Sequence, residues 1–124
     1  MTDAVLAILQ IIVGLGLLNV WLLRAGTSTA YRGGDSKSLA EEFAAYGLPP
    51  WSFYAVGTLK VGAALCLLAG LWVEALVLPA AAIVAMLMGG AVSMHVKVSD
   101  PPLKALPASL VLLMSATIVA LRLM

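Results

Sequence analysis

Lys60 stands inside an apolar run, nine residues after Trp51 and eleven before Leu71. If that run is a bilayer-spanning helix, a rise of about 1.5 Å per residue places the lysine roughly 14 Å below the surface, too deep for its stem to snorkel easily. A charge at that depth costs about 2.5 kcal/mol or more, which makes an intramembrane ionisable residue a functional-site hypothesis by default. Deprotonated, the amine is a base or a nucleophile. The plainer alternative is an inward-facing lysine held by backbone carbonyls or by Asn19. His95, the only histidine, lies at the end of another apolar run. A lone histidine without a second histidine, a nearby cysteine or paired carboxylates does not make a metal site, because stable sites need three or four ligands. It reads either as an interfacial polar residue or as a hydrogen-bond donor or proton-transfer group lining a ligand site. Lys60 and His95 are the candidate catalytic pair.

The elements that must position these residues follow from composition. Hydrophobic residues are 63% of the 124 and charged residues 10%, and the mean hydropathy is +1.09; a soluble domain has about a quarter of its chain charged. The solvent is therefore lipid. A span needs roughly 20 apolar residues, so four spans and their connections use up the chain and leave nothing for a globular catalytic module. The expectation is an all-α polytopic membrane protein, residues 1–124 forming one membrane domain. Its spans lie at about 4–23, 51–71, 76–96 and 103–123, packed as an antiparallel four-helix bundle. The first run has Thr2 and Asp3 rather than basic residues ahead of it and is longer than a signal core, so it reads as a retained span. A net charge of +1 gives no basic stripe, which argues against nucleic acid as a partner. The single cysteine, Cys66, excludes a disulfide or dithiol chemistry within one chain.

The first connection is the longest, and Ser38-Leu39-Ala40-Glu41 within it matches a capping box. A short amphipathic helix is expected at about 39–46, burying Leu39, Phe43 and Tyr46 while Glu41 and Glu42 face away, with Gly47, Pro49 and Pro50 as its stop. It should pack over the bundle. Ala81, Ala85, Gly89 and Ser93 form a small-residue ridge on the third span, and Gly62, Cys66 and Gly70 another on the second, so these helices should approach closely within one chain or across a homo-oligomer. The first and third connections carry Arg24, Arg32, Lys37, Lys97 and Lys104, against Arg122 on the other side. By the positive-inside rule those two connections face the cytoplasm and both termini face outward.

Depth then gathers the polar residues. Asn19, Arg24, Tyr54, His95, Lys97 and Asp100 fall in the cytoplasmic third, with Lys60 below them, and are expected to line a funnel whose mouth the short helix covers. Trp51 with Met86, Met88 and Met94 would supply adaptable apolar walls, though ordinary packing also explains the methionines. Asp100 before Pro101 is equally a turn signal. Candidate ligand-binding residues are thus Asn19, Arg24, Trp51, Tyr54, Met94 and Asp100; Glu74 reads as a solvated turn residue on the opposite surface.

In Gly47-Leu48-Pro49 before the second span, Gly57-x-x-Lys60-x-Gly62-Ala63 within it, and Met94-His95 followed by Asp100-Pro101, the chain resembles the DoxX and DoxX-like membrane proteins, a family of small four-helix proteins. Many members have glutamate at the position of Lys60. The family name is associated with a quinol-oxidising or thiosulfate-oxidising membrane system, so the resemblance makes quinone-like ligands an expectation. No haem pair, flavin motif or iron-sulfur cysteines are present, and no covalently bound cofactor is expected. Three readings follow. The chain binds, and in one version modifies, a lipophilic and partly polar molecule such as a quinone or isoprenoid above Lys60; or it is an accessory subunit or chaperone of a larger membrane complex; or, less supported, it is a transporter or channel, for which one midplane charge and no inverted repeat argue poorly.

Overall fold

Four apolar stretches form the spans because a backbone in hydrocarbon has to satisfy its own hydrogen bonds, and a helix does so within one segment. The protein is described by a computed structural model that covers residues 2–23, 26, 33–34 and 36–124. Helix α1, Thr2–Leu18, continues through a π-helical turn at Asn19–Leu23. A short helix α2, Leu39–Ala45, precedes α3, Pro50–Ala69, α4, Val77–Lys97, and α5, Leu106–Leu123. Single 3-10 turns at Glu74–Leu76 and Pro102–Ala105 lead into α4 and α5. Helices α1, α3, α4 and α5 are each long and apolar enough to cross a membrane. They close a ring in which α1 neighbours α3 and α5, and α4 neighbours α3 and α5. The outer surface is greasy: Leu15, Leu65, Met86 and Leu113 are each more than half exposed, an arrangement that water would penalise and acyl chains accept. The protein is an integral, multi-pass membrane protein.

Helical periodicity sets which side chains enter the ring. Along α1 and its π-helical turn the buried side chains include Leu6, Gln10, Val13, Leu17 and Trp21, recurring every three or four positions. On α3 the inward stripe runs Gly57, Lys60, Ala63, Ala64 and Leu67, and on α4 it runs Val77, Ala81, Val84, Met88 and His95. Lys60 and His95 are therefore inside because they share a face with core residues. Small residues set the closest approach, with only part of the expected ridges, Gly70 and Ala81, inside the packing. A Cβ on Gly14 would stand 2.9 Å from Leu68 Cγ, and one on Gly70 2.6 Å from Val77 Cγ2, whereas Gly62 and Gly89 look onto open space. Close packing thus joins α1 to α3 and the foot of α3 to α4, and the upper parts of both expected ridges stay uncovered.

Helix α2 begins as the capping signal required, with Glu41 N–H donating to Ser38 Oγ at 3.2 Å. The reciprocal half is shifted: Glu41 Oε2 accepts from the Lys37 amide at 2.8 Å rather than from that of Ser38. The helix ends in a Schellman motif, with Gly47 at φ +77° and the Leu48 amide bonded to Phe43 O at 3.1 Å. Its buried face is Leu39, Glu42 and Tyr46. The expectation that Glu42 faces away is corrected here. Positions i, i+3 and i+7 from Leu39 form one stripe, and the carboxylate accepts burial because it finds partners there.

Candidate functional site

The buried polar residues at one end of the bundle are connected to one another. Tyr46 O–H donates to Glu42 Oε1 at 2.5 Å, and the same hydroxyl lies 3.3 Å from His95 Nε2. His95 Nε2 is itself 3.8 Å from Glu42 Oε1. On the far side of the ring, His95 Nδ1 is 2.8 Å from Asp100 Oδ2. The other oxygen of Asp100 accepts from the Gly34 amide at 3.0 Å and lies 3.9 Å from Lys104 Nζ, which also donates to Gly34 O. Lys60, Glu42, Tyr46 and His95 are each at most 9% exposed. Such a network is costly unless its members satisfy one another; Glu42, Tyr46, His95 and Asp100 do so, while Lys60 stands apart from these hydrogen bonds.

Local backbone signals put the pieces in place. Helix α4 ends in a second Schellman motif, in which the Asp100 amide bonds to His95 O and the Ser99 amide to Val96 O, both at 3.0 Å. Its left-handed position is held by Ser99 at φ 58°, a conformation that costs a non-glycine residue about 1 kcal/mol or more. That turn folds the Asp100 carboxylate back onto the imidazole at the end of its own helix. Lys97 Nζ donates to Tyr46 O at 2.9 Å, placing a cation on the carboxyl end of α2 where the helix dipole favours it. Gly33 lies so close over Tyr46 that a Cβ there would be 2.5 Å from the ring and hydroxyl. Burial acts to raise the Asp100 carboxyl's pKa, but the hydrogen bonds from His95 and the Gly34 amide, with the charges of His95 and Lys104, outweigh it and hold the group below the ordinary carboxylate value.

Lys60 enters this end from α3. Its Nζ lies over the Trp21 ring, 5.4 Å from the centroid, within cation–π range, and the Glu42 carboxylate is near enough to act on it electrostatically. Among the described residues no hydrogen bond to Lys60 is found. Trp21 also belongs to an aromatic cluster, with Phe53 at 5.3 Å and Phe43 at 6.0 Å between centroids, and Phe43 to Phe53 at 5.7 Å. It further forms one wall of an open groove of about 520 Å³ whose other lining residues are Phe53, Tyr54, Gly57, Thr58, Val61, Gly62 and Leu65. Gly57 makes this possible, since a Cβ there would come within 2.7 Å of the indole. One side chain is therefore common to an apolar groove along α3 and to the buried polar group.

Of the residues singled out from sequence, His95 and Asp100 are bonded to each other, Lys60 lies over the Trp21 ring, and Lys97 ties α4 to α2. Tyr54 is 70% exposed and lines the groove rather than the polar group. Trp51 is equally exposed and Asn19 points outward. Met94 is half-buried, Met88 sits in the core and Met86 on the outer surface. Arg24 and Arg32 lie outside the described residues. Sequence reasoning passed over Glu42, the Tyr46 hydroxyl, Trp21 and the Gly33–Gly34 pair. The signal for the first two was present, because Glu42 is three residues after Leu39 and four before Tyr46. Among the described residues no three His, Cys, Asp or Glu side chains are arranged to hold a metal ion.

Comparison with known proteins adds one finding. A family model described as the DoxX-like family matches residues 13–119. No curated protein and no solved structure matches the chain.

Proposed function

The chain belongs to the DoxX-like family, and from that premise we propose that it binds a lipophilic molecule with an oxygen-bearing head, of quinone or isoprenoid type. The tail lies in the groove along α3. The head reaches the polar group of Lys60, Glu42, Tyr46 and His95 past Trp21. The observation that carries this reading is the double role of Trp21, which lines the groove and holds the Lys60 ammonium over its ring. Ligand sites are mostly apolar with a few placed polar groups, and a site meeting that description at a membrane-spanning helix is reached from the lipid. Lys60 Nζ, with no hydrogen-bond partner among the described residues, supplies the donor for a carbonyl or hydroxyl oxygen; the hydroxyl and imidazole beside Glu42 supply groups for proton exchange. The polar end carries Lys37, Lys97 and Lys104, and the positive-inside rule places it on the cytoplasmic side.

The test is mass spectrometry of what co-purifies with the protein. Lys60→Met removes the donor and Gly57→Ala displaces the indole. Each should lower retention of the lipophilic molecule by about tenfold, the effect of roughly 1.4 kcal/mol. Equal retention by the wild type and both folded variants would sink the reading.

A further inference from the structure

The end of the bundle away from Lys60 holds a second cavity, of about 220 Å³, between the start of α1, the turn after α3 and the end of α5. Its polar lining is Asp3, Gln10, Glu74 and Arg122, and Leu6 and Leu71 border it on an apolar side. Gln10 is 4% exposed and lies seven residues along α1 from Asp3, about 10 Å deeper. Its Nε2 donates to Leu67 O at 2.9 Å, which fixes the orientation of the amide. Among the described residues nothing donates to the other tip of the fork, Oε1. Gly70 makes room for this arrangement, since a Cβ there would stand 3.2 Å from Gln10 Nε2 and 2.6 Å from Val77 Cγ2. Arg122 is unsatisfied in the opposite sense. A guanidinium has five N–H donors and no acceptor, yet among the described residues none of them is hydrogen-bonded. Its Nε is buried without a partner, and its contact with Glu74, at 3.7 Å, is an ion pair too long for a hydrogen bond. Lys97 and Lys104 at the other end each donate to a carbonyl.

The cavity thus combines an amide acceptor below the surface, two carboxylates and one cation with unused donors. Water answers the hydrogen bonds but not the pattern of charge. An anion alone would face Asp3 and Glu74, and a plain cation would face Arg122. A group that joins a primary ammonium to a phosphate complements both. We propose that this cavity binds the ammonium–phosphate head of an aminophospholipid. The ammonium N–H groups donate to Gln10 Oε1, Asp3 and Glu74, and the phosphate oxygens accept from Arg122 as charge-assisted hydrogen bonds. A trimethylated head has the same charges but no N–H, so it leaves Gln10 Oε1 unpaired, and a buried acceptor without a donor is costly. The site therefore selects a primary amine over a choline. It lies at the opposite end from the polar cluster and does not depend on the groove along α3. Free phosphoethanolamine presents the same chemistry from solution.

Native mass spectrometry of the full chain, released from micelles into which dioleoyl phosphatidylethanolamine or dioleoyl phosphatidylcholine is titrated, reads the preference directly. The wild type should hold the ethanolamine lipid about tenfold more tightly than the choline lipid. Arg122→Gln should weaken both lipids by about tenfold, because both carry the phosphate. Glu74→Gln should weaken only the ethanolamine lipid and narrow the preference to about threefold, the smaller effect of an exposed carboxylate. Lys60→Met, at the far end, should change neither. Displacement of the lipid by excess free phosphoethanolamine would assign the recognised head to a soluble molecule, and persistence of the lipid would assign it to the membrane; both keep the ammonium–phosphate site. Equal retention of the two lipids by the wild type overturns the proposal without any variant, and so does unchanged binding in both Arg122→Gln and Glu74→Gln.

Discussion

The two ends of the bundle treat their polar side chains differently. At the end opposite Lys60, Gln10 is buried and donates from Nε2 to the Leu67 carbonyl at 2.9 Å, and Arg122 meets Glu74 at 3.7 Å near the surface, where the glutamate side chain is 79% exposed. Each contact there ends on one partner. At the Lys60 end, Glu42, Tyr46, His95, Asp100 and Lys104 pass from one to the next. Isolated polar contacts hold helices in register. A connected row of titratable groups can relocate charge, and that property is what distinguishes the candidate site from ordinary membrane glue.

The comparison breaks most readily at Glu42. Glu42→Met takes away the buried carboxylate that faces the Tyr46 hydroxyl and His95 and should cost about 3 kcal/mol, as when one member of a buried charge pair is removed. Lys60→Met leaves Glu42 with Tyr46 and His95 and removes a charge that is itself expensive, so its cost should stay under about 1 kcal/mol. Chemical unfolding in mixed micelles measures the pair, and equal costs would refute the asymmetry. A smaller effect belongs to Asp100. Its folded pKa is depressed, so the stability it contributes is complete above the ordinary carboxylate value and is lost as pH falls through the lower folded one. Melting temperatures taken on acidification should show this acid-side decline in the wild type and a flatter profile in Asp100→Asn. The smallest effects are expected at the other end: Glu74→Gln should change stability by no more than about 0.5 kcal/mol, as exposed pairs do. A loss as large as that of Glu42→Met would erase the contrast between the ends.

The spans were legible because lipid demands length and apolarity, which a sequence displays directly. So was the inward setting of Lys60 and His95, which lie on the stripes of Ala63, Ala64 and Leu67 and of Val84 and Met88. Asn19 shows where that reasoning fell short. Depth alone placed it in the funnel, but the buried stripe of Val13, Leu17 and Trp21 leaves position 19 on the opposite face. Glu42 was readable by spacing on the face of Leu39 and Tyr46 and was passed over for another reason. A carboxylate on a short surface helix reads as solvated unless its partners are known, and His95 is far away in sequence. Tyr46 was legible as an apolar residue; what its hydroxyl does depends on two elements that only folding brings together.

The docking of the first connection has a consequence for the order of assembly. Gly34, Glu42 and Tyr46 precede α3, whereas His95, Asp100 and Lys104 come after most of α4, and the two sets meet only across the finished ring. During synthesis from the amino terminus, the acid and the phenol are made first and wait for their base. A nascent chain holding α1 and α3 alone has both walls of the groove and none of the imidazole. The polar cluster is therefore complete only when the last two spans have joined the first two.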